Sequence, residues 1–166
     1  LDESAMNFLD KPLKEFMDVF AYLANIADVN KVVVQIDGRT DTLEIQTGPE
    51  SDKTKDKFTF NGKDVTALKN DKDDQLARKY YQGIIGITMD DVEIGAAPTG
   101  NAEITFTYYL KKDPNVVKVE FIPKDQNYYY VVKNGKYSNM LVSRKKFYGT
   151  DSVRDTYTNL VNAMPK

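Results

Sequence analysis

The sequence predicts an α+β fold: two tandem ββββα repeats forming an antiparallel sheet covered by helices, with one extra N-terminal helix. Three observations predict it. Short apolar–polar alternations are separated by Asp-Gly and Asn-Gly turn signals, three other segments carry helical periodicity, and the two halves of the chain can be laid over one another in order. At 166 residues the chain suffices for one compact unit with its own core. The predicted layout is residues 1–30 as an N-terminal helix packed on the domain, 31–90 as the first repeat and 91–166 as the second.

The first segment places Leu13, Phe16, Met17, Phe20, Leu23, Ala24 and Ala27 at i, i+3, i+4 spacing, with Pro12 in the first turn, which predicts a helix. Val32–Ile36, the turn Asp37-Gly38 and the alternation Leu43–Gln46 predict a hairpin. Gly48–Asp56 is polar and charged, a surface loop. Lys57–Phe60 and Val65–Leu68 flank Asn61-Gly62, the strongest short hairpin signal. Acidic residues then open a second helix from about Asp73 to Gly86.

The second half repeats this grammar. Glu103–Leu110 alternates, Asp113-Pro114-Asn115 turns, and Val117, Val119 and Phe121 form one face of the next strand. Asp125-Gln126-Asn127 turns into Tyr128–Val132, and Asn134-Gly135 turns into Tyr137–Val142. A last helix runs from about Asp151 to Ala163. Phe60-Asn61-Gly62-Lys63 matches Lys133-Asn134-Gly135-Lys136, and Leu76, Tyr80, Ile84 and Ile87 match Val153, Tyr157, Val161 and Met164, which makes the last four the expected buried face of the final helix.

Cysteine and histidine are both absent, which removes thiol nucleophiles, Ser-His-Asp triads, histidine bases and the usual zinc sites. No cofactor or metal is expected. No apolar run approaches the ~18–20 residues of a membrane span. The chain begins at Leu1 without an initiator Met or a leader, so it is expected to be a piece of something longer. Residues 1–110 carry 12 basic and 20 acidic side chains, and residues 111–166 carry 11 and 5. Two readings follow: a basic surface for an acidic partner, or two halves that complement each other.

Tyrosine is the abundant aromatic, with 11 residues and no Trp. In a strand, Tyr128 and Tyr130 share one face and Tyr129 takes the other. Exposed, they would stack on a sugar, a base or a protein; half-buried, they are strand formers whose hydroxyls reach the rim. Arg144, Lys145 and Lys146 form the one basic run. The candidate binding residues are therefore Tyr128, Tyr130, Arg144 and Lys145, and no catalytic residue is named.

Other motifs dissolve on inspection. Ser143-Arg144-Lys145-Lys146 has Ser-x-x-Lys spacing but no downstream Lys-Thr-Gly strand. The acidic stretch Asn70–Asp74 lacks the Gly and Glu of a calcium loop: counted from Asp71, those positions hold Leu76 and Gln82. Met89-Asp90-Asp91 reads as a solvated turn. Gly83-Ile84-Ile85-Gly86 reads as a helix end. An acidic pI near 5.3 argues against nucleic acid.

The order of motifs resembles the domain of unknown function 4340 family. Leu23-Ala24-Asn25-Ile26-Ala27-Asp28-Val29 leading into a strand, Val119-Glu120-Phe121-Ile122-Pro123 followed by Tyr128-Tyr129-Tyr130-Val131, and the Asn-Gly-Lys hairpins carry the resemblance. It implies a bacterial, extracytoplasmic domain anchored by an N-terminal membrane helix that this chain lacks, associated with ABC-type transport. It supplies no catalytic residues. The expected function is a non-enzymatic interaction domain, with membrane transporter subunits or another envelope protein as partners and no nucleic acid. The alternatives are a ligand-binding module for a cell-wall sugar or peptide fragment, with a concave pocket between the repeats, and a carboxylate-pair hydrolase.

Overall fold

A computed structural model of the chain describes residues 19–166. Among them lie nine strands and two α-helices. β1 (Val29–Ile36), β2 (Arg39–Gln46), β3 (Lys57–Phe60) and β4 (Lys63–Asp64) lead into α1 (Leu76–Ile85). β5 (Asp91–Val92), β6 (Ile104–Leu110), β7 (Val116–Pro123), β8 (Tyr128–Lys133) and β9 (Lys136–Ser143) lead into α2 (Val153–Ala163). All nine strands form one antiparallel sheet in the order β4-β3-β2-β1-β6-β7-β8-β9-β5.

Period-2 alternation gives the sheet an apolar inner face. Val32, Val34, Leu43, Phe58, Phe106, Phe121 and Val131 are all buried there, under α1 and α2. Each such side chain contributes about 1.5–3 kcal/mol of burial. α1 brings down Leu76, Ala77, Tyr80 and Ile84, with the Tyr80 ring edge-on to Phe60 at 5.6 Å. The two helices touch where α1 has Gly83. A Cβ there would stand 2.7 Å from Thr156 Oγ1 and 3.1 Å from the Ser152 backbone, so only glycine permits the approach.

Both Asn-Gly signals form the expected left-handed turns, at φ 48 and 81 for Asn61-Gly62 and 48 and 78 for Asn134-Gly135. In each, the asparagine also staples the turn to the neighbouring strand. Asn61 Oδ1 accepts from Thr42 N at 2.8 Å while Asn61 N donates to Thr42 O; Asn134 does the same with Lys118 N and O, both at 2.8 Å.

Four expectations need correction. The N-terminal helix of residues 1–30 falls outside the described residues up to 18, and from 19 to 25 the chain is not helical. Tertiary pairing replaces the helical period there: Phe20 bridges Thr88, Ala21 N donates to Ile87 O, and Tyr22 packs edge-on to Tyr108 at 4.8 Å. Leu23, expected in the core, is 53% exposed. Only Ile26–Asp28 makes a helical turn, a 3-10 one capped by Asn25.

Val65–Leu68 is not a strand, because β4 ends at Asp64. Thr66 instead folds its hydroxyl onto the backbone of Phe58. α1 starts at Leu76 rather than Asp73, since Asn70 Oδ1 accepts from the amides of Lys72 and Asp74 and closes a turn first. Finally, Val161 faces outward, and the buried residues of α2 are Val153, Thr156 and Leu160.

Candidate functional site

Tyr128 and Tyr130 lie on the outer face of β8, opposite Ser143 and Leu141 of β9, with Tyr129 buried on the inner face. Both outer rings are half-buried. Tyr130 stands edge-on to Tyr137 at 5.5 Å, and Tyr137 donates its hydroxyl to Glu93 O at 2.7 Å. Burial, then the nearby Glu93 charge, pushes the Tyr137 phenol up to about 12. Val132 and Leu141 share this outer face and are buried outside the main core. The connection leaving β5 begins against this patch, with Gly95 N donating to Asn139 Oδ1 at 3.2 Å.

Arg144 opens a 3-10 turn, Arg144–Phe147, directly after β9. Its guanidinium lies 4.4 Å from the Tyr129 ring centroid, Nε donates to Asp125 O at 2.8 Å and Nη1 to Glu103 Oε2 at 3.1 Å. Tyr129 donates its hydroxyl to the same Glu103 oxygen at 2.8 Å, and burial followed by that bond pushes the phenol up to about 12. Arg144 is thus engaged internally, tying the β7–β8 turn to the start of β6. Lys146 is engaged too, with Thr88 Oγ1 at 2.6 Å and Asp90 at 3.5 Å.

Lys145 alone of the basic run is exposed without an ion pair among the described residues. It lines a cavity of about 450 Å³ with Gln82, Asp90, Ser143, Tyr148 and Asp151, between the end of α1 and the start of α2. Neither tyrosine lines that cavity. The four sequence candidates therefore do not converge.

The charge asymmetry resolves into bonds between the halves. Arg154 grips Asp37 with two hydrogen bonds, 2.9 and 2.7 Å, and that hydrogen bonding holds the Asp37 carboxyl below its usual range. Arg144 with Glu103, Lys146 with Asp90 and Lys124 with Glu93 repeat the pattern.

Among the described residues, no helix covers the outer face of β2, β1, β6 and β7. Alternation turns Glu44, Lys31, Tyr109, Lys118 and Glu120 toward solvent, on strands held in register Glu44–Lys31–Tyr109 across β2, β1 and β6. Lys31 Nζ sits 4.5 Å from the Tyr109 ring centroid, Val116 opposite Tyr109 is 44% exposed, and Lys118 pairs with Glu120 at 2.9 Å. This mixed-charge surface, with an aromatic centre and a concavity of about 490 Å³ beside Lys31, Glu44 and Gln46, was missed in favour of the denser tyrosine run of β8. The signal was present in part, as the polar outer positions Lys31 and Gln35 of β1, Thr42, Glu44 and Gln46 of β2, and Lys118 and Glu120 of β7.

A second concavity, about 450 Å³, lies between α1 and α2 and is lined by Asn70, Lys79, Asp151, Asn159 and Asn162 among others. No helix among the described residues is long and apolar enough to cross a membrane. Scans against protein-family models, curated proteins and solved structures find no match to this chain.

Proposed function

We propose that this chain is a non-enzymatic, extracytoplasmic interaction domain of a membrane-anchored bacterial protein, an accessory component of an ABC-type transport system. The observation that carries the interaction reading is the outer face around Tyr109. It spans four strands, has a concavity of about 490 Å³ beside Lys31 and Glu44, and offers a ring flanked by Lys31 and an exposed Val116, inside a rim of charges of both signs. Rings with polar rims are the make-up of protein-binding patches. The bacterial, envelope and transport setting rests on the family resemblance of the motifs.

The fold itself is read here as a tandem duplication. Supporting this are the matched Asn-Gly turns with their matched asparagine staples, and a strand order that runs outward from the β1–β6 seam as β1 to β4 on one side and β6 to β9 on the other.

The cavity between α1 and α2 favours a second reading, a module that binds a cell-wall sugar or peptide fragment, because Asn159, Asn162 and Lys79 line it together. One experiment separates the two. A photo-crosslinking residue is placed at Tyr109, at Lys118 or at Asn159 of the full-length protein in its native membrane, and adducts are identified by mass spectrometry. Transporter subunits captured at Tyr109 and Lys118 are the expected result. Glycan or peptide adducts at Asn159, with none on the sheet face, would overturn the interaction reading in favour of the second.

A further inference from the structure

Residues 111–166 contain 11 lysines and arginines, and the ion pairs among the described residues account for five: Lys118, Lys124, Arg144, Lys146 and Arg154. Of the six left, Lys111, Lys112, Lys133 and Lys136 gather at one end of the sheet, at the tips of two adjacent hairpins. Lys133 and Lys136 are direct cross-strand partners, so two ammonium groups face each other across the Asn134-Gly135 turn. Like charges so placed destabilise a hairpin. The β6–β7 turn carries Lys111 and Lys112, with Lys111 Nζ bonded only to the neutral Thr47 hydroxyl at 3.2 Å. The acids at this end are Asp113 within the turn, Asp28, whose carbonyl accepts from Lys111 N, and Glu50, Asp52 and Asp56 of the loop beyond Thr47, where Asp52 pairs with Lys55 and Asp56 with Arg78. Among the described residues none of them forms an ion pair with these four lysines.

The two tips are staggered. Val119 is level with Lys133, whereas Val116 still pairs with Tyr109, so the β6–β7 turn reaches roughly three residues, about 10 Å, further. Both are convex, and Pro114 and the exposed Val116 accompany the lysines at the longer one. The two tips together carry four lysines and a small apolar point.

From this we propose a second contact surface: the hairpin end formed by Lys111, Lys112, Lys133 and Lys136 docks on an anionic lipid membrane. A convex corner presents all its charges at once only to an extended surface, and lysines near an anionic bilayer each add about a factor of five in binding. This inference does not depend on the interaction face around Tyr109.

The test is co-sedimentation of the 166-residue chain with vesicles of phosphatidylcholine and with vesicles in which half of it is replaced by phosphatidylglycerol. Binding to the anionic vesicles only, weakened by added salt, is expected. The double variant Lys133→Ala/Lys136→Ala should lose about thirty-fold in apparent affinity. It should also melt at a higher temperature in low salt, since a repulsive pair is gone, so loss of binding is separable from loss of fold. The charge-matched variant Lys63→Ala/Lys72→Ala, with Lys63 on a hairpin tip that points to the opposite end of the sheet, should bind like the parent. Equal binding to both vesicle types, or undiminished binding by the tip variant, overturns the proposal. So does binding to a polyglutamate peptide with the same lysine dependence while vesicles stay unbound, which would make the partner an acidic protein segment.

Discussion

Asp41 sits on the inner face of β2, 4% exposed, where an apolar residue would be expected. Its carboxylate accepts from Arg39 Nε and Asn61 Nδ2, both at 2.9 Å, and Arg39 in turn lies 3.7 Å from the Tyr157 ring centroid. This small network ties the β1–β2 hairpin, the Asn61-Gly62 turn and α2 together. Removing the carboxylate leaves Arg39 Nε and Asn61 Nδ2 without their acceptor, while Arg39 Nη1 keeps Asp37, so Asp41→Ala should cost about 2 kcal/mol, measured by urea unfolding. Tyr80 is the contrast: its hydroxyl is buried without a hydrogen-bond partner among the described residues, so Tyr80→Phe should cost nothing measurable. A result with the two costs reversed would discard this account of the network. None of it was legible in the sequence, where Asp41 looked like one more acid beside a turn.

At the level of the element, the period of α2 was legible and its buried face only in part. Val153 is buried and Tyr157 and Met164 pack against the core, while Val161 does not. The expected stripe, Val153, Tyr157, Val161 and Met164, passed over Thr156 because a hydroxyl is polar. Thr156 is buried all the same, since its Oγ1 donates to Ser152 O at 2.8 Å and the glycine of α1 leaves it room. The stripe then runs Val153, Thr156, Leu160, with Tyr157 half-buried at its margin. Accordingly Leu160→Ala should destabilise by about 2–5 kcal/mol in thermal or urea unfolding. Val161→Asp should stay within about 0.5 kcal/mol of the parent. A severe Val161→Asp effect beside a mild Leu160→Ala effect would restore the original stripe. The Asn-Gly turns were fully legible because φ above zero is a local demand that few residues meet.

For the molecule as a whole, hairpin neighbours could be read from the chain, while the β1–β6 seam and the β5 edge could not. Six residue pairs join β1 to β6 across some 70 intervening residues, and nothing local in either strand records the partner. The same holds for the candidate site: Arg144 was visible as a basic residue, but its acceptor Glu103 lies 41 residues away and took it out of service. The seam and the contact between α1 and α2 make each half the completion of the other. Residues 1–90 or 91–166 alone should therefore lack a cooperative melt, and co-expression of the two should restore one, followed by near-ultraviolet circular dichroism. A cooperative transition in either piece alone would refute this interdependence.

The ends of the sheet carry one more consequence. A wide sheet is a template for adding strands, and at high concentration such templates seed fibres and amorphous precipitate. Here one border is Lys63–Asp64, with Thr66 already occupying the outward amide and carbonyl of Phe58, and the other is Asp91–Val92, where Val92 N is taken by the side chain of Asp91. An incoming strand finds two residues, charged on both borders, and nowhere to zip further. Nine strands can thus stay side by side in a crowded compartment without recruiting a tenth.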